Sequence, residues 1–223
     1  MMKIPAEPDA VSIDIRRSAV IVVDMQNSFC KEGFMMDRFG KLDAVQVEAV
    51  IEGCRGIIQT ARKRKIAIVY LRMTYNLNGD NPGPDSPFYW KEKGLVAIRQ
   101  NPELKERLLI EGTPGWQIID ELKPEPGDII VNKGRYSGFI NTNLDDRLRE
   151  KNIKYLIFTG LYTNICVEST LRDAFSREYF NLLVKDACGA MGGEYMQEAT
   201  LWNVKSAFGW VTSAADIVNN LQE

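Results

Sequence analysis

Short runs of β-branched and aliphatic residues recur along the chain, and between them the apolar positions change their period. The runs are SAVIVVD (18–24), IAIVYLR (66–72), DIIVNK (128–133), KYLIFTG (154–160), NLLVKD (181–186) and the weaker FGWVT (208–212). Apolar runs of strand length, separated by helical segments, mark strands buried on both faces, as in a parallel sheet. Between the first two runs, Ala44, Val47, Val50, Ile51, Cys54, Ile57, Ile58 and Ala61 recur at helical spacing. They predict a long helix laying one apolar stripe on the sheet, with Cys54 in the core. After the fourth run, Val167, Leu171, Ala174 and Phe175 repeat that period. Thr163 or Asn164 is placed to cap the start of this helix, which puts Cys166 in its first turn. The expected fold is α/β, a three-layer sandwich with a mostly parallel six-stranded sheet and helices on both faces.

Residues 73–100 break this alternation with prolines, glycines and the cluster Phe88-Tyr89-Trp90. The segment reads as a long, ordered, lid-like excursion over the surface. No internal repeat, low-complexity tract or interdomain linker interrupts the chain, so residues 1–223 are read as one domain.

A net charge of -2 with 26% charged residues offers no basic face for nucleic acid, so a small-molecule partner is expected. The basic run Arg62-Lys63-Arg64-Lys65 falls where the long helix ends, and cations there complement the helix dipole. The N-terminal stretch has no apolar h-region, and the apolar runs are too short to span a membrane. Cysteines at 30, 54, 166 and 188 show neither a C-x-x-C pair nor the density of a disulfide scaffold, which fits a reducing cytoplasm.

Histidine is absent from the chain. A Ser-His-Asp or Cys-His mechanism therefore cannot be built, and with thiols scattered neither a metal nor another cofactor is expected. In an open parallel sheet the ligand site lies outside the carboxyl ends of the strands. Asp24 ends the first strand, Lys133 ends the third, and Cys166 opens the helix after the fourth. Singly, these residues have ordinary readings as a turn residue, a solvated strand end and a core thiol. Together they supply a base, a positive charge and a nucleophile. A helix N-terminus and a nearby ammonium are expected to lower the thiol pKa of Cys166. Cys30 and Cys188 also fall near strand ends, but neither comes with a base or so clear a helix start, and both read as bystanders.

The segments IVVDMQNSF around Asp24, NKGRYSGF around Lys133 and GLYTNICVESTLRDAF around Cys166 resemble the isochorismatase-like cysteine hydrolases over nearly the whole chain. The resemblance implies that Asp24 is the general base, Lys133 its charged partner and Cys166 the nucleophile. It further implies a cis peptide between Leu161 and Tyr162, with the backbone amides of Tyr162 and Cys166 as the oxyanion hole. Nicotinamidases of this family bind a metal through an Asp and histidines, which the chain lacks. The isochorismatases proper lack the cysteine and process a vinyl ether. Cleavage of an amide or ureido C–N bond remains.

Within the family, RYSGF (135–139), CVESTLRD (166–173) and the terminal FGWV (208–211) are most similar to ureidoacrylate amidohydrolases of pyrimidine degradation. FCKEGF (29–34) and DACGA (186–190) lean toward biuret- or triuret-type hydrolases. The expected activity is metal-independent hydrolysis of a ureido or carbamoyl compound through a covalent thioester. Biuret, triuret or an N-carbamoyl amino acid is the alternative substrate, and a non-catalytic redox-sensing relative the alternative of another class. Position suggests Phe29, Trp90, Arg135 and Tyr136 as substrate-binding residues. A homo-oligomer, dimer to tetramer, is expected from the family.

Overall fold

The computed structural model describes residues 1–34, 44–79 and 81–222, so Asp80 of the expected excursion lies outside the described residues. The six apolar runs form one six-stranded sheet in which every neighbouring pair is parallel. Its strands are β3 (Ser18–Val23), β4 (Ala67–Met73), β5 (Ile129–Lys133), β6 (Tyr155–Leu161), β7 (Phe180–Gly189) and β8 (Trp210–Thr212), in the order β5-β4-β3-β6-β7-β8. The run NLLVKD continues further than expected, to Gly189, while FGWVT is a strand only over its last three residues. Ahead of them, β1 (Met2–Ile4) and β2 (Val11–Ile13) form a small antiparallel hairpin that the sequence pattern did not announce. Just after β1, Glu7 exchanges backbone hydrogen bonds of 2.8 and 3.0 Å with Val211. This contact occupies backbone groups of the edge strand β8 that would otherwise be left unpaired.

Eight α-helices are described: α1 (Asn27–Cys30), α2 (Ala44–Lys63), α3 (Pro87–Lys91), α4 (Lys93–Gln100), α5 (Leu144–Glu150), α6 (Glu168–Ser176), α7 (Glu194–Asn203) and α8 (Ala214–Gln222). Alternation along β3 sends Val20 and Val22 to one core and Ala19, Ile21 and Val23 to the other. The first core is covered by the α2 stripe of Val47, Val50, Ile51, Cys54, Ile57 and Ile58 with Ile217 and Leu221 of α8. The second is covered by Leu144 and Leu148 of α5, Leu171 and Ala174 of α6 and Leu201 of α7. Both sheet faces are thus buried, as the unbroken apolar runs require. Phe175, expected on the apolar stripe of α6, is instead 48% exposed. At the end of α2, Arg62 makes a bidentate pair with Asp128 at 3.0 and 2.8 Å. No helix among the described residues is long and apolar enough to cross a membrane.

The segment after β4 contains the two helices α3 and α4. Ser86 caps α3 by accepting from Phe88 N, and Pro87 occupies the first helical turn, where its missing N–H costs nothing. Glu92 ends α3 and caps α4, accepting from Leu95 N at 2.7 Å.

Candidate active site

Strand order fixes where the site lies. From β3 the chain moves outward to β4 and β5 on one side, then returns to β6 on the other. The helix that follows β3 and the one that follows β6 cover opposite faces of the sheet. A crevice opens where the order reverses, between the carboxyl ends of β3 and β6. Asp24 follows β3 directly and Cys166 lies five residues beyond β6, so both stand at this crevice.

Each side chain is set by local backbone. Asp24 donates its N–H to Leu71 O at 2.9 Å and then turns into the left-handed region, with φ of 52°. Aspartate tolerates that conformation better than most residues, and the turn takes the chain off the sheet edge. Its Oδ1 accepts from Met73 N at 3.0 Å, and its Oδ2 lies 2.8 Å from Lys133 Nζ. On β5, residues alternate inward and outward, so Lys133 falls on the same inward phase as Ile129 and Val131. The lysine is consequently buried, and its ammonium also donates to Arg135 O at 3.2 Å. Gln26 completes this edge: its amide accepts from Met73 N at 2.8 Å and donates to Met73 O and Trp116 O.

Cys166 lies in a π-helical turn, Thr163–Val167, that runs into α6. The peptide from Leu161 to Tyr162 is cis, as the resemblance implies. Gly160 is needed just before it, because a Cβ there would stand 2.2 Å from Val23 O and φ is +105°. The expected cap by Thr163 or Asn164 is absent: the turn has no side-chain cap. Asn164 reaches instead across to Met191, donating to its O and accepting from its N, both at 2.9 Å. An amide with both a donor and an acceptor matches a peptide unit, so this residue ties the loop after β7 to the site.

Asp24, Lys133 and Cys166 interact as one buried cluster. Burial raises the Asp24 carboxyl above the ordinary carboxylate range, with Lys133 opposing it only in part. Burial alone pulls the Lys133 ammonium down, and Asp24 and Cys166 beside it more than reverse this, so it stays protonated. The expectation of a low thiol pKa at Cys166 is overturned: burial pushes it well above the usual value, outweighing the attraction of Lys133. The resting group is a neutral thiol beside a base. Burial also drives up the other thiols, Cys54 to about 12, and Cys30 and Cys188 likewise. None of those three hydrogen-bonds both a carboxylate and an ammonium as Cys166 does.

Cys166 forms part of a small pocket of about 90 Å³, lined also by Phe29, Met73, Tyr136, Tyr162, Ile165 and Met191, with Lys91, Glu92 and Lys93 on one side. That space suits a molecule of few heavy atoms rather than a drug-sized one. Of the four candidate specificity residues, Phe29 and Tyr136 stand in its wall. Trp90 does not: it is 59% exposed, with its indole N–H donated to Pro84 O at 2.8 Å and its ring edge on Tyr89. Arg135 does not either: its guanidinium bonds Gly134 O at 2.7 Å and sits 5.1 Å over the Phe88 ring, behind the wall. The neighbours of Trp90 in sequence take its place, because Lys91, Glu92 and Lys93 occupy the joint between α3 and α4. Nothing in the sequence, read there as an excursion without helices, pointed to this joint, which only the structure shows. Among the described residues, no group of three Cys, Asp or Glu side chains is placed to hold a metal ion.

Residues 18–216 match the Isochorismatase domain family. Among curated relatives, a ureidoacrylate amidohydrolase RutB of Caulobacter segnis is 42% identical over 214 residues, which cover 96% of this chain and 89% of the relative. Among solved structures, a cysteine hydrolase from Pseudomonas syringae pv. phaseolicola superposes with a TM-score of 0.76 at 30% identity, covering 94% of both chains. An N-carbamoylsarcosine amidase from Thermoplasma acidophilum superposes with a TM-score of 0.68 at 28% identity, over 89% of this chain and 96% of its own. With the fold, the crevice and these matches in agreement, the chain belongs to the isochorismatase family.

Proposed function

We propose that this protein is an amidohydrolase that cleaves a C–N bond of a ureido compound of the ureidoacrylate type, without a metal, using Cys166 as nucleophile. The observation that carries the mechanism is the buried Asp24–Lys133 pair at 2.8 Å with the Cys166 thiol against it at the wall of a small pocket. The names of the ureidoacrylate amidohydrolase and the N-carbamoylsarcosine amidase support a carbamoyl substrate.

The neutral thiol needs a base at the moment of attack, and Asp24 takes its proton as Sγ bonds to the ureido carbonyl carbon. The carbonyl π electrons move to oxygen, and the N–H groups of Tyr162 and Cys166 receive the oxyanion. As the oxyanion collapses, the C–N bond breaks and Asp24 returns the proton to the departing nitrogen, leaving a thioester. Asp24 then deprotonates a water that attacks this thioester, and the sulfur leaves and regains its proton. The released carbamate breaks down to an amine or ammonia and carbon dioxide. Lys133 stays charged throughout and limits the cost of the negative charge passing between Asp24 and Cys166.

The test is ammonia release by chelator-treated protein across ureidoacrylate, biuret, triuret, N-carbamoyl amino acids and nicotinamide. Release is expected from ureidoacrylate first. Release from nicotinamide alone, or from no ureido compound, overturns the reading.

A pH profile follows from the carboxyl of Asp24. Only its ionised form accepts the thiol proton, and burial raises its pKa. Log kcat/KM is therefore expected to fall with unit slope as pH drops through that raised value, at a pH above the ordinary carboxylate value of about 3.9. An acid limb at or below that ordinary value would remove Asp24 as the base.

A further inference from the structure

One buried carboxylate in the pocket has no part in the chemistry above. Glu92 is 6% exposed and stands in the pocket wall. Its Oε2 accepts from Leu95 N at 2.7 Å and from the hydroxyl of Tyr75, which is itself buried. Among the described residues nothing donates to Oε1. A cap for a short helix needs only one oxygen, and a serine or aspartate at the surface would serve as well.

The surroundings are shaped to hold this group. A Cβ on Gly94 would stand 2.4 Å from the Tyr75 hydroxyl and 3.1 Å from Glu92 Oε2, so the glycine makes room for the pair. Tyr136, Glu92 and Cys166 line the same pocket, which places the carboxylate and the sulfur on one compartment. Phe29, Met73, Ile165 and Met191 give the pocket an apolar lining on which the Glu92 carboxylate is the one acidic group. Oε1 opens to the pocket instead of being sealed from it, so a ligand N–H there takes the place of water on an oxygen already aimed by its partner atom.

We infer that Glu92, oriented by Tyr75, is a specificity-determining residue whose free oxygen accepts the N–H donors of the substrate and so selects ureido compounds with an unsubstituted nitrogen. The inference rests on the amidohydrolase reading and names which edge of the substrate is recognised. A substrate carboxylate would be repelled by Glu92 and directed to the rim, where Lys91 and Lys93 are exposed. The pocket therefore orders the ligand with N–H donors inward and any anionic arm outward.

Calorimetric binding of ureidoacrylate to Cys166→Ala protein, with and without Glu92→Gln, tests this. Gln keeps an acceptor for Leu95 N and the Tyr75 hydroxyl but turns the free end into a donor. Affinity is expected to fall roughly 10- to 100-fold, the usual weight of a hydrogen bond to a charged group. Tyr75→Phe is expected to give a smaller loss, and a terminally N,N-dimethylated ureidoacrylate to bind weakly and equally to both proteins. No binding to Cys166→Ala protein, or binding that Glu92→Gln leaves unchanged, overturns the inference. Ammonia release by the unaltered enzyme is followed in parallel. Release together with Glu92-independent binding removes the inference and keeps the reading, and Glu92-dependent binding without release does the reverse.

Discussion

Cys166→Ala is expected to lower ammonia release by roughly 10⁴-fold or more, the scale seen when a covalent nucleophile is removed and only binding and oxyanion contacts remain. The protein should still fold. The lost sulfur leaves only a small cavity in a core that also holds Val167, Leu171 and Ala174. A thermal melt run beside the assay separates lost chemistry from lost structure. Replacing Cys30, Cys54 or Cys188 with Ala should leave kcat within a few-fold, because none of those thiols lines the pocket or hydrogen-bonds Asp24 or Lys133. A Cys166→Ala protein with appreciable turnover would sink the covalent mechanism. The same variant addresses the redox alternative: a thiol held well above its usual pKa reacts slowly with peroxide. Rapid, Cys166-dependent oxidation without C–N cleavage would favour that alternative.

The fold was legible because the runs that form β3, β4, β6 and β7 are apolar on both phases, and only a sheet covered on both faces makes use of that. Asp24, Lys133 and Cys166 were legible for a related reason. Each sits within a few residues of the carboxyl end of a strand, where topology alone brings distant segments together. Period-two alternation even places Lys133 inward with Ile129 and Val131, although a buried lysine is rare enough that a solvated strand end was the ordinary reading of this residue.

What stayed hidden depends on geometry that has no period. The hairpin β1–β2 has only three residues in each strand, too few for alternation to register. Trp90 was suggested by its position on the excursion, whereas the joint between α3 and α4 decides which side chains turn inward. That joint presents Glu92 to the pocket and leaves Trp90 in solvent. The thiol pKa was misjudged because a helix start and a nearby lysine can be read from sequence, while the extent of desolvation depends on every wall of the pocket.

Lys133→Met tests the pair on which the mechanism depends, and it should act on stability and rate together. Both charged side chains are essentially excluded from water, at 0% and 1% exposure. Removing one partner of such a pair leaves an uncompensated buried charge, which costs about 3–5 kcal/mol. Asp24 can escape that cost only by taking up a proton, so its pKa, already raised by burial, must rise further. A carboxyl whose folded pKa lies above its unfolded one binds more protons when folded, so stability falls as pH rises through the folded value. The urea midpoint of Lys133→Met should therefore lie well below that of the parent at neutral pH and recover part of the difference on acidification. In the same variant the acid limb of kcat/KM should move to higher pH, with the plateau lowered by roughly 10²- to 10³-fold through loss of the fixed charge. Adding Asp24→Asn removes the stranded carboxylate, so the double variant should regain stability over Lys133→Met while its turnover stays lost. Stability then recovers without the rate, which a residue of purely structural importance does not produce. A Lys133→Met protein as stable and as active as the parent would show that the charge at this position contributes to neither.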